Sequence, residues 1–181
     1  MYMINLPGIG GSGEQHWQTR WERAGLPITR FQPPDWDRPQ LDEWMQALES
    51  AVAASPEPPI LVAHSLSCLL VAHWAPRSRL PVRGAFLVAV PDPAGPAFPP
   101  EAASFAAPPD SPLPFPALIV ASADDPYGSP AYARQRAAAW GTGLVDIGAK
   151  GHINAASGLG DWEAGQALLL AEHYKDGAAG A

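Results

Sequence analysis

Leu61-Val62-Ala63-His64-Ser65-Leu66-Ser67 carries an apolar run into a serine and straight on into a helical pattern. Ile60 to Ala63 reads as a buried strand, and the segment from Leu66 to Trp74 reads as an apolar helix. A serine at a sharp strand-to-helix turn has its hydroxyl pushed out at the carboxyl end of a sheet, where a base can reach it. The helix that begins there aims its free N–H groups and positive dipole end at any anion forming beside that hydroxyl. Ala63 and Ser67 stand where the usual Gly-x-Ser-x-Gly turn has glycines. Strand and helix crowd each other at those positions, and Ala and Ser are the smallest substitutes. Taken alone, such a serine is more often a plain helix cap, so the rest of the chain has to decide.

A base and an acid follow downstream. Ala117 to Ala123 repeats the buried-strand pattern and ends at Asp124-Asp125-Pro126-Tyr127. Leu144-Val145-Asp146-Ile147-Gly148 is a shorter strand, followed by Ala149-Lys150-Gly151-His152-Ile153-Asn154. Ser65, an aspartate at 124 or 125, and His152 each lie just past a strand. In an open parallel sheet those carboxyl ends share one edge, so three residues distant in sequence converge. The order Ser, Asp, His is that of the α/β-hydrolases. Serine is a poor nucleophile until a base takes its proton, and a carboxylate behind an imidazole fixes the tautomer and stabilises the imidazolium. Pro126 restricts the residue before it to extended backbone, which suits Asp125 as the acid, whereas Asp124 suits a turn cap. Residue chemistry leaves both open.

An oxyanion formed at Ser65 needs two N–H donors, and Leu66 N–H is the first. The second comes from Leu6-Pro7-Gly8-Ile9-Gly10-Gly11-Ser12-Gly13, after the strand Tyr2 to Leu6. Ile9 N–H and Gly10 N–H are both candidates, with Ile9 favoured. This loop lacks the Gly-Lys-Ser/Thr of a P-loop, and its glycines miss the dinucleotide spacing, so it is no phosphate cradle.

Strand and helix patterns alternate along the whole chain. Strands are expected at 2–6, 28–31, 59–63, 84–90, 117–122 and 144–147, and helices at 14–24, 39–54, 65–75, 129–140 and 161–174. That alternation predicts a single α/β domain over 1–181, with a mostly parallel sheet and helices on both faces. Residues 176–181 read as a flexible tail. The exception is 91–116, which holds ten prolines, a density expected to prevent helix and ladder pairing alike. It follows a strand end, so it serves either as a cover over the Ser65 edge or as an inert connection.

Composition narrows the function further. The chain has 181 residues, 47% of them hydrophobic, with 11 basic and 18 acidic residues and a net charge of −7. No basic stripe occurs, which argues against nucleic acid and anionic membrane as partners. No apolar run is long enough to span a bilayer, and residues 2–6 already serve as a strand, so no signal peptide is read. One cysteine fits a reducing cytoplasm. Cys68 reads as a small buried hydrophobe, and His73 and His173 as surface or boundary residues. Gly10, His16, Trp17 and His64 are candidate pocket-lining residues. A helix-start core contact competes for Trp17, and a packing role for His64. Trp140 and Trp162 read as core. His152 has no neighbours at ligand spacing, so no metal is expected, and nothing calls for a cofactor.

The segments Leu6-Pro7-Gly8, His16-Trp17-Gln18, His64-Ser65-Leu66, Asp124-Asp125-Pro126-Tyr127 and Gly151-His152-Ile153-Asn154 resemble the small single-domain serine hydrolases of the RBBP9/YdeN type. The resemblance spans nearly the whole chain and departs at Ser67, where the family usually has glycine. It implies an α/β-hydrolase-like fold, with Ser65 as nucleophile, Asp125 as acid and His152 as base. The function expected is cleavage of a small ester, thioester or activated amide through an acyl-enzyme. Acyl transfer to another acceptor would use the same residues. A weakly active protein-interaction module with an unidentified protein partner is the alternative.

Overall fold

The computed structural model describes the backbone of residues 1–174 and the side chains through 172; the expected tail at 176–181 and the side chain of His173 lie outside the described residues. Six strands form one sheet: β1 (Met3–Leu6), β2 (Ile28–Arg30), β3 (Ile60–His64), β4 (Gly84–Val88), β5 (Ala117–Ala121) and β6 (Gly143–Asp146). Their order is β2-β1-β3-β4-β5-β6, and every neighbouring pair is parallel. Five α-helices connect them: α1 (Trp17–Arg23), α2 (Leu41–Ala53), α3 (Leu66–Trp74), α4 (Pro130–Trp140) and α5 (Glu163–Tyr174). Strands and helices sit where the apolar periods place them, with ends shifted by a few residues at most.

Side chains alternate across the strands and feed two cores. Ile4, Leu61, Ala63, Leu87 and Ile119 join α2, α3 and α4 on one face. Met3, Ile60, Val62, Phe86 and Val120 join Trp17 and Trp21 of α1 and Leu169 of α5 on the other. Both faces are therefore covered, which is why β3, β4 and β5 read as unbroken apolar runs. All nine residues of α3 are buried, and its sequence is apolar on every side for that reason. Cys68 belongs to this core, with its thiol donating to the carbonyls of Val88 at 3.4 Å and Ala63 at 3.7 Å.

The proline-rich segment differs from its reading. Pro100–Phe105 forms a turn of 3₁₀ helix. Proline is tolerated at the first helical position, where an N–H would have no partner, so Pro100 starts this turn and does not forbid it. Phe105 is fully buried, edge-on to Trp44 with ring centres 5.5 Å apart. Ser104 Oγ accepts from Leu41 N–H at 3.1 Å. The same turn overturns the reading of His73 as a surface or boundary residue: it is buried, and its Nε2 donates to the Phe105 carbonyl at 3.0 Å. Further along, Trp140 Nε1 donates to the Pro109 carbonyl at 2.9 Å, and Arg136 pairs with Asp110 at 2.7 Å. The segment is thus tied to α2, α3 and α4. Truncating its anchor, Phe105→Ala, is expected to cost about 3–5 kcal/mol, read as a lower midpoint in urea unfolding.

Candidate active site

The chain runs from β1 outward to β2 and then returns to β3 on the other side of β1. At that reversal the loops after β1 and β3 diverge, and an open sheet has its crevice there. Ser65 sits at the crevice with φ 54° and ψ −123°. This region is sparsely populated by residues with a side chain and costs on the order of 1–3 kcal/mol. The strain is held from both sides: Ser65 N–H donates to the Val88 carbonyl, and the Ser65 carbonyl accepts from Cys68 N–H, each at 2.9 Å.

Asp125 and His152 meet this serine. His152 Nε2 lies 2.8 Å from Ser65 Oγ, and His152 Nδ1 lies 2.9 and 3.0 Å from the two Asp125 carboxylate oxygens. A carboxylate only accepts, so Nδ1 carries the proton and Nε2 offers its lone pair to the serine hydroxyl. Asp125 is buried, and one of its oxygens also accepts from Tyr127 N–H at 2.9 Å. Asp124 does other work. Its carboxylate accepts from Gly151 N–H at 2.7 Å and from Ser122 Oγ at 2.9 Å. Those two bonds, the Gly151 one first, hold its carboxyl below the usual range. It therefore fixes the loop that carries His152, with its bonds going to Gly151 and Ser122.

The glycine loop packs against the serine turn. A Cβ on Gly8 would stand 3.0 Å from Ser65 Cβ and 3.1 Å from the His64 carbonyl, closer than side chains ordinarily come. Ser67 fills the place of the usual glycine and donates its hydroxyl to the Pro7 carbonyl at 2.6 Å, binding turn and loop together. Gly10 N–H is spent on the Trp36 carbonyl at 2.8 Å. Ile9 is thereby left as the loop's candidate donor beside Leu66.

A cleft of about 500 Å³ opens over Ser65 and His152. His16, His64, Ile9 and Leu66 line it, as do Pro91, Ala97, Phe98 and Pro99 from the start of the proline-rich segment. That segment is a wall of the cleft, one of the two roles its sequence left open. Gly10 and Trp17 are absent from the lining, against expectation. Gly10 is turned toward Trp36, and Trp17 is buried, its indole N–H donating to the Ile153 carbonyl at 2.8 Å. His64 Nε2 donates to the His152 carbonyl at 2.9 Å. Trp17 and His64 thus grip two consecutive carbonyls of the loop, those of Ile153 and His152. His16 caps α1, with Nδ1 accepting from Gln18 N–H at 3.2 Å.

The family model described as serine hydrolase matches residues 3–171. The chain belongs to the serine hydrolase family. Among solved structures, this serine hydrolase is similar to a YdeN-like hydrolase from Pectobacterium atrosepticum, at 33% identity over 96% of this chain and 91% of that one, with a TM-score of 0.87. The ydeN product of Bacillus subtilis shares the fold at 18% identity, covering 97% and 100% of the two chains, with a TM-score of 0.74. So does the type II thioesterase BorB of the borrelidin cluster, at 18% identity over 95% and 91%, with a TM-score of 0.65. No curated protein matches the chain at a significant level.

Gly8, Tyr127 and the hydroxyl of Ser67 complete the surroundings of Ser65 in this serine hydrolase; their segments were singled out in the sequence, but these three contacts were not. Tyr127 lies against the imidazole, with ring centres 4.4 Å apart. A hydroxyl where a turn usually has glycine was the available signal for Ser67. For Gly8 and Tyr127 the signal was their place in the Leu6-Pro7-Gly8 and Asp124-Asp125-Pro126-Tyr127 segments.

Two buried imidazoles give the site a pH signature. Burial first, then Arg30 and His152, lowers His16 to about 4. Burial first, then His152 and His16, holds His64 well below the usual range. Below about pH 6.5 the unfolded chain therefore binds more protons than the folded one, and stability present above that pH is lost as it falls. His16 alone accounts for about 3 kcal/mol by pH 4. Urea midpoints are expected to fall between pH 7 and pH 5 in the wild type, and to fall less in His64→Gln, which keeps an N–H donor but cannot be protonated.

Proposed function

We propose that this serine hydrolase cleaves an ester, thioester or activated amide through an acyl-enzyme on Ser65, with His152 as base and Asp125 as the carboxylate that orients it. The observation that carries this reading is the unbroken chain of hydrogen bonds from Asp125 through His152 to Ser65 Oγ at the floor of an open cleft. Ser65 Oγ attacks the carbonyl carbon as its proton passes to His152 Nε2, and Asp125 stabilises the imidazolium through Nδ1–H. The oxyanion is held by the N–H groups of Leu66 and Ile9, at the N-terminus of α3 and the close-packed glycine loop. His152 then gives its proton to the leaving group. In the second half water attacks the acyl carbon as His152 takes its proton, and that proton returns to Ser65 Oγ as the acyl–oxygen bond breaks and the acid leaves.

The strained turn at Ser65 supports this assignment over a plain helix cap. A cap needs ordinary extended backbone and accepts a side-chain hydrogen bond from its helix. Ser65 has neither, and its hydroxyl bonds to His152 instead. The same reasoning favours catalysis over a protein-interaction module, since an interaction surface has no use for a buried hydroxyl on a strained turn, bonded to an imidazole at the floor of a cleft. In this reading the substrate is a small acyl compound and neither nucleic acid nor membrane is a partner. The single cysteine supports a cytoplasmic location. No helix among the described residues is long and apolar enough to cross a membrane.

Labelling by a fluorophosphonate, followed by intact mass, tests the assignment. Wild type is expected to gain one adduct and Ser65→Ala none. Asp125→Asn is expected to slow labelling by about 10⁴-fold, while Asp124→Asn stays within about tenfold of wild type, because its carboxylate supports the loop and does not touch the ring. An adduct on Ser65→Ala, or none on folded wild type, would overturn the proposal.

A further inference from the structure

The lining of the cleft specifies the charge of the substrate, a conclusion that rests on acyl transfer at Ser65. Among the described residues, no Asp, Glu, Lys or Arg side chain lines it. Ile9, Leu66, Pro91, Phe98 and Pro99 supply apolar walls. Its other polar side chains are uncharged; several are committed within the protein, and His16 Nε2 is buried with no partner among the described residues. Ser12 Oγ donates to Gln18 Oε1 at 2.6 Å, and Asn154 Oδ1 accepts from Ala156 N–H at 3.1 Å. His64 is bonded to the His152 carbonyl and His16 to Gln18 N–H. Burial keeps both of these imidazoles neutral at pH 7, so neither provides a cation.

A carboxylate, phosphate or ammonium seated in such a cleft loses its hydration and gains no counter-charge. For anions the chain's net charge of −7 adds repulsion on approach. Lys150 does not alter this. It lines an adjoining depression that shares Tyr127, His152, Asn154 and Ala156 with the cleft but does not reach Ser65.

We propose that the enzyme acts on uncharged esters with apolar acyl chains and rejects acyl chains that end in a charge. The ester C–O bond is broken, water supplies hydroxyl to the acyl carbon, and its remaining proton goes to the departing alcohol.

Three 4-nitrophenyl esters of matched chain length separate the cases: pentanoate, the anionic monoglutarate, and the fixed cation 5-(trimethylammonio)pentanoate. kcat/KM for pentanoate is expected to exceed each charged ester by on the order of 100-fold. The preference over the glutarate is expected to persist at about 0.5 M salt, where long-range repulsion is screened and only desolvation remains. Ala97 lines the cleft but is exposed, so Ala97→Lys tests the charge argument without disturbing the core. It is expected to shift the glutarate-to-pentanoate ratio by about tenfold toward glutarate, and Lys150→Ala to leave that ratio unchanged. A charged ester turned over within about fivefold of pentanoate, or an Ala97→Lys ratio equal to that of wild type, would overturn the inference. So would fluorophosphonate labelling of Ser65 with no turnover of pentanoate. Absence of labelling strikes instead at acyl transfer itself.

Discussion

The close approach of two loops at the carboxyl edge of the sheet is the constraint on which the rest of this molecule depends. The loop after β1 and the turn after β3 meet where Gly8 faces Ser65, with no space for a side chain between them. Ser67 adds a hydroxyl to that contact and spends it on the Pro7 carbonyl. The pairing of β1 with β3, Leu6 opposite Ala63, sets the distance at which the loops start. A shift of that register would separate the Ile9 and Leu66 N–H groups and flip each strand's side chains to the wrong core.

From this contact the support spreads outward in two arcs. One arc holds the serine: the bond from Ser65 N–H to Val88 and the all-buried helix α3 keep the turn in a conformation it would otherwise leave. The other arc holds the histidine. His152 lies past β6, at the far edge of the sheet from β1, and its loop is gripped by Asp124, by Trp17 from α1 and by His64 beside Ser65. Such redundancy is what a hydrogen-bond relay demands, because a misplacement of about 1 Å can cost on the order of 100-fold in rate.

The fold was legible because both faces of the sheet are covered. Burial on both sides makes β3, β4 and β5 continuous apolar runs, and the helices between them dictate parallel pairing. The residues converging on Ser65 were legible for a related reason: each directly follows a strand, so topology alone collects them. Choosing between Asp124 and Asp125 needed coordinates, since adjacent carboxylates on one loop differ only in where they point. Also hidden were contacts across long sequence distances. The indole of Trp17 reaches Ile153, 136 positions away, and His64 reaches His152, 88 positions away. Nothing local in sequence encodes such partners. The proline-rich stretch misled for the opposite reason: its local chemistry argued against any helix, while Phe105 and Pro100 fold a 3₁₀ turn onto His73 and α2.

The central claim is that Ser65 carries the acyl group during turnover. Rapid acid quench during the first turnovers of a 4-nitrophenyl ester, with peptide mapping by mass spectrometry, tests it most directly, because an activated leaving group makes the acyl-enzyme accumulate. The account requires the acyl mass on the peptide containing Ser65, appearing as the first equivalent of nitrophenol is released. Release of nitrophenol with that peptide unmodified, or with the acyl group on another residue, would contradict it.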